Sequence, residues 1–193
     1  MPNWTTETEC VAFEGVRLIG RGALRVVAAK AQAALTSGTT QPVLVFDDLT
    51  GEVIDLDPRN DLPPNPAAPE TGIVARGPGR PKLGVVAREV TLLPRHWEWL
   101  NAQPGGASVA LRKLVEEARK TNQEKDRVRV AREAAYRFLS AMAGNEAGFE
   151  EAARALFADR AERFGEIIGG WPEDVREHAA RLAARAFGGG GTE

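Results

Sequence analysis

The sequence predicts an α+β protein with a small amino-terminal ββαββ module, a basic middle segment and a carboxy-terminal helical bundle. Three observations support this: β-branched runs flank one amphipathic helix near the start, a proline-rich stretch interrupts the chain, and the rest carries apolar residues at helical spacing. With 193 residues, 43% hydrophobic and 27% charged, the composition is that of an ordinary soluble globular protein.

The amino-terminal module is predicted from the first 57 residues. Two short strands between residues 10 and 21 precede a helix over residues 23–35, and Gly38 is expected to stop that helix. Strands over residues 43–46 and 52–56 should form a hairpin, because FDDLTGE places turn residues between two apolar runs. One face of the helix carries the apolar residues Leu24, Val27, Ala28, Ala31 and Leu35.

Breaks in the apolar pattern divide the rest of the chain into three segments and a short tail. Residues 58–79 read as a proline-rich linker, and residues 80–122 as a β-prone run followed by two helices. Residues 123–187 should be helical, and the glycine-rich tail 188–193 disordered. In the helical region we expect separate helices over residues 124–142, 146–168 and 172–187, completing the core or a dimer interface.

Charge is distributed unevenly along the chain. Residues 71–139 hold 14 basic and 7 acidic side chains, a net charge of +7, whereas residues 1–70 carry −5 and residues 140–193 carry −4. A basic segment between acidic flanks attracts phosphate backbones, although a solvated charged face gives the same pattern.

The middle segment resembles the ribbon-helix-helix (Arc/MetJ type) DNA-binding family. A β-prone run over residues 85–93 ends at Pro94, and the second helix begins at Ser108 with the spacing typical of that family. The matching residues are Ser108, Leu111, Arg112, Leu114 and Val115.

The resemblance implies a homodimer in which one strand from each chain enters the major groove. It also implies that Arg88 contacts bases and that backbone N–H groups from Gly106 to Val109 hold a phosphate. Arg112, Lys113 and Ser108 complete the predicted DNA-binding set at the second helix. A strand and two helices within a larger core remain the structural alternative.

The preceding stretch, ARGPGRPKLG, resembles an AT-hook. That resemblance implies that Arg80 enters an A·T-rich minor groove while Arg76 and Lys82 meet phosphates. A linker with scattered positive charge is the alternative. As a whole, the chain resembles an uncharacterised bacterial domain family through GRPKLGVVAREVTLLPRHWEWL, QPGGASVALRKLVEEAR and WPEDVREHA.

Enzymatic chemistry has little support in the sequence, so we predict no catalytic residues, no metal and no cofactor. The single cysteine, Cys10, indicates a reducing compartment, and we expect a cytoplasmic protein without a membrane segment. No phosphate-binding loop, dinucleotide fingerprint or nucleophile elbow is present. His96 and His178 are expected at the surface or its boundary, and the acidic residues around Asp47 and Asp48 as a solvated hairpin rather than a cation site.

The predicted function is therefore duplex DNA binding by a homodimer, as a transcriptional regulator or nucleoid-associated protein. The alternative is a protein-interaction or assembly module in which acidic and basic segments of neighbouring chains bind each other. A third possibility is an antitoxin-like regulator whose acidic ends bind a partner protein.

Overall fold

The computed structural model describes residues 4–56, 86 and 88–187. These residues fall into two units: a core unit, formed by residues 4–56 and 124–187, and a middle unit, formed by residues 86 and 88–123. The fold is mixed α+β, as predicted. Its strands are β1 (Glu9–Glu14), β2 (Arg17–Ala23), β3 (Val43–Asp47) and β4 (Val53–Ile54), and its helices are α1 (Leu24–Thr36), α2 (Pro94–Asn101), α3 (Gly106–Met142), α4 (Phe149–Phe157), α5 (Ala161–Ile168) and α6 (Glu173–Phe187).

The amino-terminal strands form one antiparallel sheet in the order β2-β1-β3-β4. Val11 lies opposite Phe46, and Val45 lies opposite Ile54, which confirms the predicted hairpin of β3 and β4. Strand β1 is buried on both faces, as its unbroken apolar sequence indicates.

The two faces of this sheet pack against different helices. Cys10 and Ala12 face α1, whereas Val11 and Phe13 face the carboxy-terminal helices. The carboxy-terminal helical region therefore completes the core of the amino-terminal module. The predicted apolar face of α1 is buried from Leu24 to Ala31, but Leu35 is exposed.

The predicted break between helices at about residue 123 is wrong, because α3 is continuous over 37 residues, or about 55 Å. No glycine or proline interrupts the chain there. The Thr121 hydroxyl donates to the Glu117 carbonyl and the Asn122 amide donates to the Ala118 carbonyl, so both polar side chains bond along the helix instead of ending it.

The single helix predicted over residues 146–168 is also wrong: the structure has two, α4 and α5. The chain turns at Asp159, whose φ of 58° is left-handed. The Arg160 N–H then donates to the Ala155 carbonyl, which closes the end of α4. Asp and Asn tolerate this conformation better than most residues, so the turn needs no glycine.

Candidate nucleic-acid interface

Helix α2 begins as the sequence predicts. Pro94 occupies its first turn after an extended Leu93. Leu100 is buried, whereas Trp97 and Trp99 are 36% and 53% exposed. The buried position of this helix is therefore taken by Leu100 and by neither tryptophan.

The predicted strand over residues 85–93 is not a strand in the described stretch 88–93. A strand requires a neighbouring strand to exchange backbone hydrogen bonds, and in the ribbon-helix-helix arrangement that neighbour is a second chain. Arg88, the predicted base-contacting residue, is exposed in this stretch.

The start of α3 lies at a double glycine turn. Gly105 and Gly106 have φ values of 85° and 74°, a region that favours glycine. The Gly106 N–H donates to the Gln103 carbonyl at 2.9 Å, so it is not free for a phosphate. The N–H groups of Ala107, Ser108 and Val109 belong to the first helical turn, where backbone donors have no partner within the helix.

The predicted phosphate contacts on α3 are exposed to solvent. Arg112 is exposed, and its Nε donates to the Ser108 carbonyl at 3.2 Å. Lys113 is exposed and forms no ion pair with any residue that the structure describes. Arg76, Arg80 and Lys82 lie outside the described residues.

An apolar stripe on α3, consisting of Leu111, Leu114, Val115 and Ala118, runs beside these cations. Leu114 is 43% exposed and Val115 is 56% exposed. Among residues 88–123, only Leu100 and Ala110 are buried. A unit with so small a core and so much exposed apolar surface is expected to need a partner.

A buried polar cluster in the core unit was missed by the sequence analysis. Asp48, at the turn after β3, pairs with Arg181 and with Arg185 of α6, the latter at 2.7 Å. His178 is 1% exposed, and its Nδ1 lies 3.0 Å from the Arg181 guanidinium. Burial, with Arg181 second, lowers the pKa of His178 to about 3.

Two predictions about these residues are therefore wrong. His178 is not a boundary residue, and its helical spacing from the buried Val175, Ala179 and Leu182 is the signal that places it inside. The carboxylates of Asp47 and Asp48 are not solvated either, although Asp55 of the same hairpin is exposed. Asp47 is 6% exposed and accepts the N–H groups of Leu49 and Thr50, which stabilises the turn.

Within the described residues, no three His, Cys, Asp or Glu side chains gather closely enough to hold a metal ion. None of the helices in this part of the chain combines the length and apolar character that a membrane crossing requires.

The structure thus defines an α+β protein with an exposed basic and apolar surface in its middle unit. A family model described as "Uncharacterized protein conserved in bacteria (DUF2239)" matches residues 9–183 of the chain. The protein belongs to this family. Comparison with curated proteins and with solved structures gave no match.

Proposed function

We propose that this protein binds duplex DNA as a homodimer, through the middle unit, in the manner of a transcriptional regulator or nucleoid-associated protein. The observation that carries the proposal is the pairing of exposed cations with an exposed apolar stripe on the same helical segment. Lys113 and Arg112 would neutralise phosphates, while Leu114 and Val115 would be covered by the second chain.

The finer assignments rest on the sequence resemblance. Arg88 is proposed to read bases once the two 85–93 segments pair as a ribbon. Ser108 lies in the first turn of α3, where backbone donors favour an anion. Arg80, with Arg76 and Lys82, is proposed to contact the minor groove.

DNA binding is tested by fluorescence anisotropy of a labelled A·T-rich duplex at several salt concentrations. For Lys113→Gln we expect weaker binding to every duplex and a salt slope reduced by about one. Arg88→Ala should relax sequence preference, and Arg80→Ala should remove the preference for A·T. Lys30→Gln, which changes an exposed lysine of α1, is the matched control. Absence of binding even at low salt would refute the proposal.

Dimerisation is tested separately by light scattering of the purified protein. Leu114→Asp should convert the dimer to a monomer, because a buried carboxylate lacks a partner in an apolar interface. Leu49→Asp serves as the control, since Leu49 is 67% exposed in the core unit. A wild-type monomer at micromolar concentration would contradict the dimer part of the proposal.

An assembly module without DNA binding is the second candidate, and the exposed Trp99 and Val115 favour it. Aromatic and apolar side chains are enriched at the centres of protein interfaces. In that case Leu114→Asp would disrupt association while no duplex binds to the wild type.

A further inference from the structure

An open cavity of about 390 Å³ lies in the core unit, outside the middle unit. Its volume lies within the range of small-molecule sites in proteins. The carboxy-terminal half of α3 supplies one wall, and the ends of α4 and α6 supply the other. The lining residues that carry the argument are Lys125, Val128, Arg132, Phe157, Asp159 and Ala186.

The apolar wall of the cavity is built around an exposed aromatic ring. Phe157, the last residue of α4, is 51% exposed, although its helix buries four other residues. Its ring lies edge-on to Tyr136, with the centroids 5.6 Å apart. Val128 and Ala186 extend this wall. The surface therefore offers a flat apolar contact of the kind that aromatic rings occupy.

The acidic side chains of the cavity each have an arginine partner. Arg132 lies 3.1 Å from Asp159, and Arg129 lies 3.1 Å from Glu133. Glu124 pairs with Arg127, at 2.5 Å. These carboxylates are thus already neutralised.

The positive side of the cavity is not balanced in the same way. Lys125 is exposed and forms no ion pair with a described residue. An exposed ammonium without a partner can donate charge-assisted hydrogen bonds to a carboxylate.

We propose that this cavity binds a small aromatic carboxylate, with its ring on Phe157 and its carboxylate on Lys125. Lys125 is the one lining cation without an ion-pair partner among the described residues, so the cavity matches a single negative charge better than the double charge of a phosphate. The proposal goes beyond DNA binding and does not depend on it.

Isothermal titration of the full chain with 2-naphthoate and its neutral analogue 2-naphthamide tests the proposal. The wild type should bind the carboxylate roughly tenfold more tightly than the amide, because only the carboxylate gains charge-assisted hydrogen bonds. Lys125→Gln should weaken 2-naphthoate binding about fivefold and leave 2-naphthamide unchanged. Lys30→Gln is the matched control for charge.

The aromatic contact is tested with Phe157→Ser and Phe157→Leu. Both should weaken both probes, and the leucine variant keeps the apolar volume in case the serine variant fails to fold. Leu49→Ser is the control, because Leu49 is an exposed apolar residue outside the cavity. Binding of neither probe, equal binding of both, or binding that Lys125→Gln and Phe157→Leu leave unchanged would overturn the proposal.

Discussion

The buried His178 predicts a specific pH dependence of stability. Burial and the nearby Arg181 lower the pKa of His178 to about 3, from 6.5. Between these values the unfolded chain binds a proton that the folded protein does not. Stability therefore falls as the pH falls through this window, and it is fully present only above about pH 6.5.

The magnitude follows from the two pKa values. At pH 7 the unfolded histidine is mostly neutral, so almost no stability is lost. At pH 5 it is almost fully protonated, and the loss relative to pH 7 is about 2 kcal/mol.

Urea unfolding at pH 7 and pH 5 measures this loss. His178→Gln should abolish most of this loss, because the variant has no imidazole at this position. The comparison is made within each protein, so a change in absolute stability does not affect it. His96→Gln is the matched control, since His96 is exposed on α2 and is the only other histidine. If wild type and His178→Gln lost the same stability between the two pH values, the proposed origin would be wrong.

Three further predictions concern the core unit. Gly51→Ala should destabilise the protein by about 3 kcal/mol or more in chemical denaturation, because the added Cβ would lie 2.1 Å from the Ala134 carbonyl oxygen. Gly38→Ala is the control: Gly38 also has a left-handed φ but has open space around it, so this substitution should cost only about 1 kcal/mol. Asp48→Asn should cost about 2 kcal/mol by the same measurement, since it leaves two half-buried arginines without their shared carboxylate. Burial raises the pKa of Cys10 to about 12, so a thiol reagent at pH 8 should react with it only as fast as the protein unfolds; rapid reaction in the native state would contradict this.

Local sequence patterns predicted the amino-terminal module well. Period-two and continuous apolar runs located β1 and β3, and the turn residues between Asp47 and Val53 located the β3–β4 hairpin. The bounds of the longer helices were predicted less well. Thr121 and Asn122 have weak helix propensity, yet their side chains bond to preceding carbonyls within α3.

The polar cluster could not be predicted in the same way. Asp48 and Arg181 are 133 positions apart, and their pairing depends on how α6 packs against the sheet. A pattern within one helix shows that His178 shares a face with apolar residues, but not which charges lie opposite. The same limit applies to the cavity at Phe157, whose walls come from three helices.

Helix α3 shows most clearly what periodicity does and does not establish. Its later half carries Ala131, Ala135 and Phe138 on one face, and that face is buried against the core. Its earlier half carries Leu114 and Val115 at equally regular spacing, yet both are exposed. Spacing therefore identifies residues that share a face, whereas burial depends on a partner surface that lies elsewhere. For the earlier half we infer that this surface is a second chain. The oligomeric state of Leu114→Asp is the measurement that distinguishes a dimer interface from a helix face that is exposed to solvent.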